Sequence, residues 1–158
     1  MSTELNILKV AILNEQEGYQ FYKSVSERVT NEDAKKAFMQ FAQEEKAHEA
    51  KLRNMYEQLR GTVRTTVYDP DGGHVQQARV FRRNDSIIND DYELAAYRIG
   101  ILMEEASIRF YTESAERTAS PDVKKILLEL ATWETVHRDT LTAVYEELRE
   151  AWWKKESL

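Results

Sequence analysis

The chain of 158 residues contains no cysteine, which excludes a disulfide framework, a thiolate nucleophile and metal sites with cysteine ligands. It has only five glycines and two prolines, so collagen-like and low-complexity chains are excluded and long helices are favoured. No apolar run reaches the ~18 residues of a membrane span, and the polar start does not resemble a signal peptide. The net charge is −6 and no basic block occurs, so we expect neither a membrane nor a nucleic-acid partner. These features predict an all-α, cytoplasmic protein that forms a single domain over residues 1–158.

The chain also contains an internal repeat with an offset of 89 residues. Residues 4–60 and 93–149 align without a gap, and 20 of the 57 pairs are identical, whereas about four would be expected by chance. In each half, apolar residues recur at alternating spacings of three and four, which is the pattern of one helix face. Asn31 and Ser120 interrupt these patterns, and both are preferred N-cap residues. The repeat therefore predicts a four-helix bundle made of two helical hairpins.

Residues 61–89 join the two halves, and this connection is longer than a turn between bundle helices requires. At ~3.3 Å per residue it can span helices of ~40 Å, so it can cross the bundle and make the second and third helices parallel. Valines and aromatic residues flank a Pro/Gly turn at residues 69–73, which indicates a β-hairpin. The apolar residues of the connection need cover, so we expect a homodimer. The same length also permits two chains to exchange hairpins.

Six ionisable residues occupy positions that the helical periodicity assigns to the core. Burying a carboxylate costs several kcal/mol unless positive charge compensates it, and no Lys or Arg lies on these helix faces. In each half, a Glu-x-x-His pair places both side chains on successive turns of one face. Oxygen and nitrogen ligands without sulfur suit a pair of iron or manganese ions. The predicted metal ligands are Glu15, Glu45, His48, Glu104, Glu134 and His137.

These motifs resemble the ferritin-like superfamily, and most of all the rubrerythrin family. The resemblance is carried by residues 15–22, by Glu45-Lys46-Ala47-His48 and by their counterparts 89 residues later. It covers residues 5–148 except the long connection. One glutamate from each of two helices and Glu-x-x-His from each of the other two is the ligand set of carboxylate-bridged di-metal bundles.

The resemblance implies a role for each residue of the site and a cofactor of two iron ions, or of manganese. Tyr22 and Tyr111 match tyrosines of the family that hydrogen-bond to ligand carboxylates. The implied bridging carboxylates are Glu45 and Glu134, and the implied terminal carboxylates are Glu15 and Glu104. His48 and His137 are each implied to bind one ion.

The implied function is a non-haem di-iron oxidoreductase that reduces peroxide or oxygen in defence against oxidative stress. Rubrerythrins carry a four-cysteine rubredoxin-type domain, but this chain has no cysteine, so its electron donor must be a separate protein or molecule. An additional glutamate that the family has on the third helix is replaced here by Ser107, which weakens the transfer of the peroxidase mechanism. The alternative is an iron-binding protein that stores, delivers or senses iron without turnover. Both functions use the same residues, so the sequence leaves them open.

Overall fold

The computed structural model describes residues 3–61 and 90–157. No strand occurs in these two segments, so the all-α class is confirmed. The β-hairpin predicted within the connection lies outside the described residues. None of the described helices is long and apolar enough to cross a membrane. The helices, numbered in chain order, are α1 (Thr3–Arg28), α2 (Glu32–Leu59), α3 (Asp90–Arg117) and α4 (Pro121–Glu156).

Local capping determines where the second helix of each hairpin begins. The Asn31 side chain accepts a hydrogen bond from the amide of Ala34 at 2.9 Å, and the Ser120 hydroxyl accepts one from the amide of Val123 at 3.3 Å. These bonds satisfy amides that have no partner inside the helix. After α2, Gly61 adopts a φ of +70°, which glycine reaches without steric cost. The predicted hairpin turns are confirmed at both positions.

Two apolar clusters, one near each end of the bundle, show how the helices run. One cluster joins the start of α1 and the end of α2 to the end of α3 and the start of α4, with Leu8, Leu52, Tyr111 and Leu127 as members. The other joins the opposite ends of the same helices. Consequently, α1 and α4 run in one direction while α2 and α3 run in the other. The predicted bundle of two antiparallel hairpins with parallel second and third helices is confirmed.

The end of α2 and the start of α3 lie at opposite ends of the bundle. Residues 61–89 therefore connect two points separated by the length of the helices, which accounts for a connection far longer than a turn. Within one chain, the two hairpins face each other across a shared interior. Exchange of hairpins between chains and formation of a homodimer stay predictions.

Candidate metal centre

A polar layer lies between the two apolar clusters, in the middle of the bundle. Each of the four helices contributes to it, since α1 and α3 provide one glutamate each while α2 and α4 provide a glutamate and a histidine each. All of these residues are at most 5% exposed. The sequence predicted this set, and the fold brings together Glu15, Glu45, His48, Glu104, Glu134 and His137.

The six residues form two overlapping groups, each able to surround one metal ion. In each group, one oxygen or nitrogen atom from every member lies within 4.8 Å of the others. Both groups contain Glu45 and Glu134, so these two carboxylates lie between the two positions. The remaining members complete the groups, with Glu15 and His48 in the first and Glu104 and His137 in the second.

Glu134 makes the closest link between the two groups. Its Oε1 lies 3.3 Å from Nδ1 of His48, and its Oε2 lies 3.0 Å from Nδ1 of His137. On the opposite side, Oε1 of Glu45 is 3.1 Å from Nδ1 of His137. Both histidines thus direct Nδ1, rather than Nε2, towards the two carboxylates that the groups share, Glu45 and Glu134.

Two buried oxygen atoms at the centre of the site have no hydrogen bond within the described part of the chain. They are Oε1 of Glu45 and Oε1 of Glu134, the carboxylates shared by both groups. The nearest histidine nitrogens are Nδ1 of His137, 3.1 Å from Oε1 of Glu45, and Nδ1 of His48, 3.3 Å from Oε1 of Glu134, and neither contact is a hydrogen bond. Buried polar atoms are nearly always satisfied, so these oxygens call for a partner. A pair of cations between the two glutamates would supply it, and the donor set of oxygen and nitrogen fits such a pair.

Among the described residues, the histidines are the cationic groups that lie against the four glutamates of the site. Across residues 3–61 and 90–157, no Lys or Arg forms an ion pair with any of the four glutamates. Burial opposes protonation of His48, but the adjacent carboxylates of Glu134 and Glu15 outweigh it and raise its pKa to about 9. The pKa of His137 is raised as well, against the effect of burial, by the adjacent carboxylates of Glu104, Glu134 and Glu45. In the metal-free protein, protons on the imidazoles therefore replace the missing metal charge.

The pKa values of three of these carboxyl groups are shifted, and not in the same direction. Burial raises the pKa of Glu104 to about 7 and that of Glu45 well above its ordinary value, although the adjacent His137 opposes both shifts. For Glu134, the adjacent His137 and His48 overcome burial and hold its pKa well below the ordinary range. The central Glu134 therefore favours its ionised form, whereas a metal has to compete with protons at Glu45 and Glu104.

Two buried tyrosines fix the outer carboxylates of the site. The Tyr22 hydroxyl donates a hydrogen bond to Oε1 of Glu104, and the Tyr111 hydroxyl donates one to Oε1 of Glu15. Burial and the adjacent carboxylate raise the pKa of each phenol well above 10.0. Each tyrosine therefore keeps its proton and orients a carboxylate that the opposite hairpin contributes.

Because Tyr22 holds Glu104 in place, we expect Tyr22→Phe to weaken metal binding at that position by about 10- to 100-fold. Competition with a chromophoric chelator measures the change. Tyr56→Phe, at a half-buried tyrosine in the apolar cluster, is the matched control and leaves the affinity unchanged. Equal affinities in Tyr22→Phe and wild type would contradict this role.

Three residues near the site were not predicted from the sequence. Oε2 of Glu44 lies 2.5 Å from Nε2 of His137. Glu49 is only 4% exposed, and Lys46 and Arg53 on its own helix compensate its charge. These cations lie three and four residues from Glu49, a spacing from which the ion pairs could have been predicted.

At the third residue, Gly18, an added Cβ would lie 2.8 Å from Oε2 of Glu45, so a side chain there would displace this carboxylate. Its counterpart in the second half is Ser107. Ser107 replaces the additional glutamate of the family, and the equivalent residue in the first half, Gly18, has no side chain.

An all-α bundle of two repeated hairpins with a buried cluster of carboxylates and imidazoles defines a ferritin-like protein with a candidate di-metal centre. The rubrerythrin family model matches residues 6–148, and the chain belongs to this family of ferritin-like di-iron domains. A solved structure of a hypothetical protein from Pyrococcus furiosus is similar, with a TM-score of 0.72 and 29% sequence identity. The match covers 94% of this chain and 91% of that one. No curated protein sequence matches the chain.

Proposed function

We propose that the protein is a rubrerythrin-like di-iron oxidoreductase that reduces hydrogen peroxide or oxygen. The observation that carries the proposal is the buried cluster of four carboxylates and two imidazoles, with an unpartnered oxygen on each shared carboxylate. Such a cluster is costly in a core that serves packing alone, because buried charges need compensation. Membership of the rubrerythrin family supports iron as the compensating cation.

In this proposal the residues divide the work by position. Glu45 and Glu134 would contact both ions, and the outer glutamate and histidine of each group would hold one ion each. A pair of ferrous ions supplies two electrons, so that hydrogen peroxide and two protons become two water molecules while both ions become ferric. The surrounding chain excludes bulk water from the ligands, which are at most 5% exposed, and this strengthens every charge interaction inside the site.

The tyrosines keep the outer carboxylates in position while the metal charge changes. Because the pKa values of Tyr22 and Tyr111 are raised, the phenolic proton stays on oxygen and the hydroxyl continues to donate to Glu104 or Glu15. The phenols thus act as fixed hydrogen-bond donors rather than as further ligands. Glu104, with a pKa of about 7 in the metal-free site, is a carboxyl group that can both hold and release a proton near neutral pH.

Re-reduction of the iron requires electrons from outside the chain. The chain has no cysteine to hold a second iron centre, so a separate one-electron donor must return two electrons in each cycle. A rubredoxin supplied as a separate protein is a suitable donor for the test.

Stopped-flow absorbance with the diferrous protein tests the proposed reaction. We expect hydrogen peroxide to oxidise the site rapidly and reduced rubredoxin to restore it, so that repeated additions give repeated turnover. Oxygen is mixed in a parallel experiment and identifies the preferred oxidant. The Glu45→Gln variant is the control, because without a shared carboxylate it should show neither phase.

The result that would overturn the proposal is a single oxidation without re-reduction. In that case, accumulation of ferric mineral beyond two irons per chain would identify an iron-storage protein that uses the same ligands. A site that binds iron but reacts with neither oxidant would instead favour iron delivery or sensing.

A further inference from the structure

The two halves of the repeat differ directly beside the metal ligands. The offset of 89 residues aligns Glu45 with Glu134, but the preceding residue is Glu44 in the first half and Trp133 in the second. Both residues lie next to a ligand histidine on the facing helix. The two halves therefore contribute the same types of metal ligand, but the residues beside the two ligand histidines differ.

Glu44 supports His137 from the side opposite to the cluster. Its Oε2 lies 2.5 Å from Nε2 of His137, while Nδ1 of the same ring faces the shared carboxylates. A carboxylate at Nε2 favours a proton on that nitrogen, so when His137 loses its second proton to bind a metal, the lone pair is on Nδ1, towards the cluster. Such an outer carboxylate fixes the tautomer and the ring orientation and makes the imidazole a stronger ligand.

His48 has a different neighbour. Its Nδ1 lies 3.2 Å from Oε2 of Glu15, but its ring lies beside the indole of Trp133, with 6.1 Å between ring centroids. An indole has a single N–H donor and no acceptor, so it cannot take a hydrogen bond from Nε2. Within the described residues, no carboxylate is hydrogen-bonded to that nitrogen.

We infer that the two metal positions are unequal: the position formed with Glu104 and His137 binds its ion first, and the position formed with Glu15 and His48 binds more weakly. The inference rests on the proposed metal centre and adds a positioning role for Glu44. The expected difference in dissociation constants is about 10- to 100-fold, the usual effect of an outer carboxylate on a metal-bound histidine.

The proposed difference in affinity also determines which ion exchanges first with solution. Trp133, beside His48, is 48% exposed and the Glu44 side chain, beside His137, is 33% exposed, so both positions adjoin a surface side chain and the affinity decides the order. The ion at the weaker position is the last to enter and the first to leave. A protein with one ion per chain would thus hold it beside His137.

Anaerobic titration of the metal-free protein with Mn²⁺, followed by electron paramagnetic resonance, tests the order of binding. The first equivalent should give the signal of an isolated bound ion, and the second should convert it to that of a coupled pair. Glu44→Gln should weaken the first step by about 10- to 100-fold and merge the two steps. Trp133→Glu, which places a carboxylate beside His48, should instead tighten the second step.

Matched controls separate this role from a general effect on the bundle. Glu57→Gln changes a glutamate on the same helix with similar exposure, 30% against 33% for Glu44, and should leave both steps unchanged. Trp133→Phe removes the indole without adding a carboxylate, so it should not tighten the second step. Circular dichroism of each metal-free variant confirms that it is folded.

Simultaneous binding of both ions in wild type, or unchanged steps in Glu44→Gln, would overturn the inference while leaving the di-metal centre intact. Failure to bind any metal would instead defeat the proposed centre itself. If Glu44→Gln does not fold, Trp133→Glu decides alone, because tightening of the second step depends on the same outer contact. An unchanged second step in that variant counts against the inference.

Discussion

Glu45→Gln is expected to remove both metal ions, although it changes only one atom of one side chain. Glu45 belongs to both ligand groups, and its Oε1 is one of the two buried oxygens without a hydrogen bond. An amide is a much weaker ligand than a carboxylate for iron or manganese. Metal analysis after anaerobic reconstitution should therefore fall from about two ions per chain towards zero.

Loss of metal in this variant does not reflect unfolding. Burial raises the pKa of Glu45 well above its ordinary value, so the metal-free protein holds this group largely in its neutral form. A neutral amide of the same shape should leave the stability of the metal-free bundle unchanged or slightly higher. Thermal unfolding of metal-free wild type and Glu45→Gln tests this point.

Glu49→Gln is the matched control, one helical turn further along α2. Glu49 is as deeply buried as Glu45, at 4% exposure, but Arg53 lies 2.7 Å away and Lys46 3.2 Å away. This variant should lose no more than about 1 kcal/mol of stability, because Glu49 loses two ion pairs whose cations, Arg53 and Lys46, are 55% and 28% exposed, and it should keep both ions. Two ions retained in Glu45→Gln, or none in Glu49→Gln, would contradict the assignment of the shared carboxylates.

The second large effect is a change in the pH dependence of stability when metal binds. In the metal-free protein, Glu104 has a pKa of about 7 and His48 a pKa of about 9, both above their ordinary values of 4.5 and 6.5. The folded state therefore binds these protons more tightly than the unfolded state does. The stability they contribute is complete below the ordinary values and is lost as the pH rises through the folded ones.

The other glutamate and histidine side chains with shifted pKa values either add to this loss of stability with rising pH or affect stability only at acidic pH. The pKa values of Glu45 and His137 are also raised, so they contribute in the same direction. The pKa of Glu134 is lowered, and the stability it provides is lost only as the pH falls well below 4.5. The free energy of unfolding of the metal-free protein should thus decrease between about pH 4.5 and pH 9.

Metal reverses this behaviour, because it binds the deprotonated ligands and its affinity rises with pH. At a free metal concentration a thousandfold above the dissociation constant, binding adds about 4 kcal/mol, or roughly 10 °C in melting temperature for a domain of this size. We expect a small difference between metal-free and loaded protein near pH 5 and a large one near pH 8. Calorimetric scans with Mn²⁺ and with a chelator measure it. The Glu45→Gln variant should show no difference at either pH, and equal melting temperatures of both wild-type forms at pH 8 would show that the ligands do not act together.

Much of the candidate site could be predicted because its information is local and repeated. His48 and His137 each follow a glutamate by three residues, and the offset of 89 residues brings the two pairs into register. Helical periodicity then assigns these polar residues to the core, where only a shared function explains them. The caps at Asn31 and Ser120 were predictable for the same reason, since each acts on amides a few residues away.

The contacts between helices could not be predicted in this way. Glu44 and His137 are 93 residues apart, and no spacing in the sequence indicates that they meet. Their contact depends on how α2 is rotated and shifted against α4, which is determined by the packing of the apolar side chains at both ends of the bundle. The repeat indicated that Glu44 corresponds to Trp133, but only the packed helices show that each lies against a ligand histidine.

By itself, the sequence determined the number of helices, the start of the second helix in each hairpin and the six residues that form the polar layer, because capping, periodicity and the internal repeat are properties of neighbouring residues. The tertiary structure decided which atoms meet: Nδ1 rather than Nε2 facing the carboxylates, and a carboxylate supporting one histidine where an indole adjoins the other. These details arise from cross-helix packing at distances of about 3 Å, where a small rotation of a helix changes the partner of a side chain.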